Sequence, residues 1–114
     1  MILRYLPTLL LVPLITGCGG VPQSQIDAAQ QATETALTRW KQGEKPTGFT
    51  DEALEKGWKL TAFQILRTEA DREKIIRSFV KLTLADRRGK ASEIEVAYQV
   101  KLEPTVVIAR DPYF

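Results

Sequence analysis

The chain of 114 residues contains no histidine. That removes the usual general base near neutral pH, the His-dependent serine and cysteine nucleophiles, and the commonest metal ligand. Cys18 is the only cysteine, so no disulfide forms within the chain and stability must come from packing. The seven glycines make no phosphate-binding loop. Charge of one sign is also missing: 16 Lys and Arg face 14 Asp and Glu, and the two signs are interspersed. Arg87, Arg88 and Lys90 are close together, but Asp86 and Gly89 share their segment. Nothing in this pattern resembles the basic stripe of a nucleic-acid interface. Internal repeats and low-complexity stretches are absent as well. The expectation is a chain with no metal, no cofactor and no nucleic-acid partner.

The longest apolar run, Tyr5 to Ile15, is about half of the roughly 20 residues needed to cross a hydrocarbon core. Pro7 and Pro13 further oppose a permanent transmembrane helix. What stands there has the parts of an export signal. Arg4 supplies a minimal positive start, Leu6, Leu9, Leu10, Leu11, Val12, Leu14 and Ile15 supply the apolar region, and Thr16-Gly17 are small enough for a peptidase.

Cys18 directly ends that segment. The run Ile15-Thr16-Gly17-Cys18 resembles the lipobox of bacterial lipoproteins: an aliphatic residue, a small residue, Gly or Ala, then Cys. The resemblance covers residues 1–18. It implies cleavage between Gly17 and Cys18, diacylglyceryl transfer to the Cys18 thiol, and acylation of the freed amine. Two or three chains anchor stably, whereas one, at about 0.8 kcal/mol per buried CH₂, binds marginally. Gly19 stands where an Asp would imply inner-membrane retention, so the implied place is the outer membrane, facing the periplasm, in a cell with two membranes. The alternative is a secreted domain with Cys18 left as a free thiol.

Residues 18–23 read as a short tether, with at most about 17 Å of reach. Residues 24–114 suffice for one domain with a modest core. Ile26, Ala29, Thr33, Ala36, Leu37 and Trp40 recur at three- and four-residue steps, predicting a helix over 24–42. Ser24 is its expected cap, Gly43 its C-terminal stop, and Pro46 prevents continuation. Residues 44–49 read as a loop. Thr50 is the expected cap of a short helix that ends at Gly57.

The second half reads as strands. Trp58 and Leu60 have one parity and Phe63 and Ile65 the other, which predicts a bulge near Ala62. Alternation is clearest in Ile76 to Leu84 and in Ile94 to Leu102. Between them, Asp86-Arg87-Arg88-Gly89 suits a type I turn followed by a left-handed glycine. That loop sets Leu82 opposite Ile94, Val80 opposite Val96, Ser78 opposite Tyr98 and Lys81 opposite Glu95. After a turn at Pro104, residues 105–110 form a last strand. Its inward side is not legible in Val106-Val107-Ile108, and it is expected at an edge, open to a partner strand.

A long helix, a short helix and four antiparallel strands make an α+β fold, with the long helix across a meander sheet. This order, with the segment Trp40-Lys41-Gln42-Gly43-Glu44-Lys45-Pro46, resembles the cystatin-like and nuclear-transport-factor-like domains. No catalytic motif accompanies the resemblance, and fold analogy alone gives no function. Ser78, Tyr98 and Trp40 are the candidate pocket, because a small polar residue facing a tyrosine can line a cavity under the helix. Packing complementarity is the competing reading. Enzymes of the nuclear-transport-factor-like class imply a buried acid, and none is expected on the inward face. Glu93 and Glu95, and the turn acids Glu69, Asp71 and Glu73, read as solvated. The terminal aromatics Tyr113 and Phe114 suit a core edge or a partner.

The expected function is therefore a lipid-anchored envelope protein whose domain is a non-catalytic binding or structural module. Its expected partners are the bilayer, through Cys18, and an envelope protein. The alternative is a small-ligand-binding or enzymatic domain with a pocket between helix and sheet. An unexpected carboxylate in a cavity with Tyr98, Ser78 and Trp40 would favour the alternative. A filled interior with an exposed apolar edge would favour the first reading.

Overall fold

The computed structural model describes residues 20–112 and 114. The expected signal segment 1–17, the expected cleavage and lipidation site at Gly17 and Cys18, and Tyr113 lie outside the described residues. The elements run α1 (Gln23–Lys41), β1 (Phe49–Thr50), α2 (Glu52–Glu55), β2 (Lys59–Ala70), β3 (Ile76–Ala85), β4 (Ala91–Lys101) and β5 (Val107–Arg110).

α1 buries the stripe that its periodicity marks. Ala29, Thr33, Ala36, Leu37 and Trp40 are buried, and Ile26 is half-buried. Its start differs from expectation. Pro22 occupies the N-cap with no side-chain cap, and its carbonyl accepts from the Gln25 and Ile26 amides, so Ser24 lies inside the first turn. Its end follows the glycine rule. Gly43 takes φ +88°, its amide donates to Trp40 O, and the Glu44 amide donates to Arg39 O, which satisfies the last carbonyls.

β3 and β4 pair in the register that alternation and turn chemistry require: Leu82 with Ile94, Val80 with Val96, Ser78 with Tyr98, Lys81 with Glu95. Gly89, at φ +84°, closes the loop by donating to Asp86 O at 2.9 Å. β2 pairs with β3 and shifts register between Leu60 and Ala62, as its parity change predicts. A second shift lies between Ile65 and Arg67. β2 then continues to Ala70, so the connection to β3 is a tight loop over Asp71–Ile75. This loop is a twin of the first. In each, an aspartate Oδ1 accepts two amides: Glu73 and Ile75 for Asp71, Arg88 and Lys90 for Asp86. The twin puts Lys74, at φ +65°, where the other has Gly89.

The sheet corrects the expected four-stranded antiparallel meander. It has five strands in the order β1-β5-β4-β3-β2 and is mixed, because β1 runs parallel to β5. Phe49, read as the end of a loop, pairs with Ile108, and the Ile108 amide donates to Gly48 O at 2.7 Å. Gly48 permits this contact: at φ +73°, an added Cβ would sit 2.5 Å from Val106 O. Two strand residues carry no alternation to read, so the pairing is invisible locally. It also corrects the edge. β5 is flanked by β4 and β1, and the outer strands are β1 and β2. The two bulges in β2 are a known means of blunting a long edge.

α1 packs chiefly on β2 and, less extensively, on β3 and β4. Between helix and sheet lies one cluster that includes Leu37, Trp40, Phe49, Leu60, Val80, Leu82, Leu84, Val96, Tyr98, Val100 and Ile108.

Candidate functional site

The most unusual group in the interior is a carboxylate. Asp51, 1% exposed, is the N-cap of α2, and its Oδ1 accepts the Ala53 amide at 2.8 Å. The expected cap, Thr50, is instead the last residue of β1. Capping by Asp51 aims its carboxylate toward the sheet. There the Tyr98 hydroxyl donates to Oδ2 at 2.6 Å. Arg110 donates from Nε to Oδ2 at 2.8 Å and from Nη2 to Oδ1 at 3.3 Å. Arg110 arrives on this side because β5 pairs it with Tyr98, two residues beyond the buried Ile108. The inward side of the last strand, undecided by sequence, is thus that of Ile108 and Arg110.

Each Asp51 oxygen therefore holds two donors. A carboxylate offers about four lone-pair sites, and all are occupied. Burial, then the charge of Asp51 and the hydrogen bond to it, push the Tyr98 phenol well above its ordinary pKa, so it remains a donor. Burial opposes the charge on Arg110, but the hydrogen bond to Asp51 and its charge outweigh that and raise the Arg110 pKa. The cluster joins β1 and α2 to β4 and β5. Its arrangement is that of an ion pair whose hydrogen bonds are all made within the protein.

The sequence-derived pocket residues are placed as follows. Tyr98 stands opposite Ser78 in the ladder, and both are fully buried. Ser78 belongs to a separate hydroxyl network, in which Thr33 Oγ1 lies 3.2 Å and Thr68 Oγ1 3.0 Å from its Oγ. Trp40 Nε1 donates to Trp58 O at 3.1 Å. Phe49 bridges the two aromatics, with its ring centroid 6.0 Å from that of Trp40 and 5.2 Å from that of Tyr98. Phe49 thus packs between Trp40 and Tyr98, while Ser78 is held in the hydroxyl network with Thr33 and Thr68.

Sequence reading missed Asp51, Arg110 and Phe49. One signal was available for Asp51: aspartate caps as well as threonine does, and a one-residue shift of the helix start makes it the cap. For Arg110 and Phe49 the signal is the parallel pairing of β1 and β5, which only the folded chain supplies.

Shallow grooves lie on the surface. One, of about 480 Å³, is lined by Asp51 itself together with Glu52, Glu55, Arg110 and Phe114. A second, of about 460 Å³, runs between α1 and β5 along Ala28, Ala32, Ala36, Pro46 and Val106. On the outer sheet face the Arg67 guanidinium lies 3.9 Å from the Phe79 ring centroid, and Phe114 meets that ring edge-on at 5.5 Å. Among the described residues, no three His, Cys, Asp or Glu side chains are placed to hold a metal ion, and no helix is long and apolar enough to cross a membrane. No family model, curated protein or solved structure matches the chain.

Proposed function

We propose that the chain is an envelope lipoprotein, cleaved before Cys18 and anchored by lipid on that thiol, whose domain is a non-catalytic binding or structural module. The observation that carries the anchor is the run Ile15-Thr16-Gly17-Cys18 at the end of an apolar segment too short to span a bilayer. Gly19 after the cysteine suits the outer membrane where the cell has two. Two features support the non-catalytic reading: Phe49 packs between Trp40 and Tyr98, and Asp51 spends both oxygens on protein donors.

One observation favours a catalytic or ligand-binding domain of the nuclear-transport-factor-like shape. A buried carboxylate does stand beside an inward tyrosine. That carboxylate also lines the groove of about 480 Å³, but each of its oxygens already accepts two protein donors, which weighs against this reading.

The test is the intact mass of the protein extracted from membranes, beside a Cys18→Ser variant. A wild-type species that begins at Cys18 and carries acyl mass, absent from the variant, is the expected result. An unmodified wild-type mass would overturn the proposal.

A further inference from the structure

The tether is shorter than the sequence suggests. Val21 packs against the core and Pro22 caps α1, so the chain is fixed from Val21 onward. Only Gly19 and Gly20 separate Cys18 from that point. Three residue steps reach about 10 Å at full extension. That gap is no wider than a single helix with its side chains, about 10–12 Å. Another protein has no room between the domain and the surface that holds Cys18.

The fold determines which part of the domain comes down on that surface. Gln25, in the first turn of α1, shares a groove of about 640 Å³ with Lys74, Ile75, Lys101, Leu102 and Glu103. The start of α1, the Asp71–Ile75 loop and the end of β4 therefore form one end of the molecule. The other end carries Trp40, Trp58 and the Asp86–Lys90 hairpin, whose Arg87 donates to Lys56 O. Along α1 these ends are about 28 Å apart.

The near end has the chemistry of an interfacial surface. Ile75 and Leu102 are half-buried, and Lys74 and Lys101 beside them are exposed. Lysine stems lie along apolar surface while their ammonium groups reach for phosphate. Exposed Glu73 and Glu103 interleave with them, so the short tether, more than net charge, holds this end down. Lys74 adds an independent sign. It keeps a positive φ where the twin loop uses glycine, a strain that points to a use for the side chain.

We infer that this end of the domain, with Lys74 and Lys101 flanking Ile75 and Leu102, rests on the phospholipid headgroups of the anchoring membrane. The hairpin at Gly89 then points away from the membrane. The inference rests on the lipid-anchor reading proposed above.

The test uses the mature lipidated protein in phosphatidylethanolamine–phosphatidylglycerol vesicles, with its acyl mass verified first. It is compared with a lipidated variant carrying a Gly/Ser insertion of about twenty residues after Gly20, which lengthens the mean tether to about 25 Å. A membrane-impermeant acetylating ester is added, and each lysine's rate is read by mass spectrometry relative to exposed Lys90. Lys74 and Lys101 should react about fivefold more slowly in the wild type than in the insertion variant. Equal relative rates in the two proteins would overturn the docking while leaving the anchor intact. Absence of acyl mass would overturn the anchor and the docking together.

Discussion

Replacing Asp51 by alanine tests whether the buried cluster is structural. Three losses follow from the geometry. The Ala53 amide loses its cap, which costs about 1 kcal/mol. The Tyr98 hydroxyl, fully buried, is left without its acceptor, at about 1–3 kcal/mol. Arg110 loses its buried counter-ion, a loss softened because its side chain is 25% exposed and lies 3.5 Å from Glu52. Together Asp51→Ala should cost about 3–4 kcal/mol, a large part of the roughly 5–15 kcal/mol that holds a domain folded. At about 4–8 °C per kcal/mol, melting should fall by roughly 12–30 °C. Tyr98→Phe leaves Asp51 with three N–H donors and should cost only about 1–2 kcal/mol. The double variant should cost less than the sum, because Phe removes the hydroxyl that Ala strands. Urea denaturation with an unchanged m-value measures all three. A loss below about 1 kcal/mol for Asp51→Ala, or additivity within about 0.5 kcal/mol, would refute the assignment.

The twin hairpins predict opposite signs at equivalent positions. Gly89→Val should destabilise by about 1–2 kcal/mol, since nothing lies within 4 Å of an added Cβ and only the φ of +84° opposes it. Lys74→Gly should raise the urea midpoint slightly, by relieving a lysine at φ +65°; an unchanged or lower midpoint would count against that strain. Asp71 supplies a pH dependence. The hydrogen bond from Arg77, then the Ile75 amide, hold its pKa below the ordinary value of 3.8. The unfolded chain thus takes up this proton first as pH falls. The stabilisation is complete above the unfolded value and is lost as pH drops through the lower folded one. Stability curves for wild type and Asp71→Asn should therefore converge in acid; parallel curves would show that Arg77 does not act through this charge.

Residues 105–110, expected at an open edge, are instead structural, so deleting residues 105–114 should abolish folding and not association alone. The deletion removes Ile108 from the core and Arg110 from Asp51, so the domain should unfold. An edge strand could be spared, but β5 is bonded on both sides.

Local chemistry carried much of the fold. The stripe from Ala29 to Trp40, the glycine stop at Gly43, the parity change at Ala62 and the Asp86–Gly89 turn each rest on interactions between residues near in the chain. Periodicity and turn preference report such interactions directly, so the β3–β4 register was legible to the residue. The Lys74 turn was missed because its left-handed position lacks the glycine that marks its twin.

Residue order alone was enough to fix the long helix and the two hairpin strands with their register. Tertiary structure alone decided the parallel pairing of Phe49 with Ile108, the burial of Asp51 against Tyr98 and Arg110, and the packing of Phe49 between Trp40 and Tyr98. The reason lies in sequence separation. Asp51 and Arg110 are 59 residues apart, and Asp51 and Tyr98 are 47 apart. No periodic pattern links positions so distant. Their contact exists only because the sheet brings β5 between β4 and β1, where burial makes the pairing of a carboxylate obligatory.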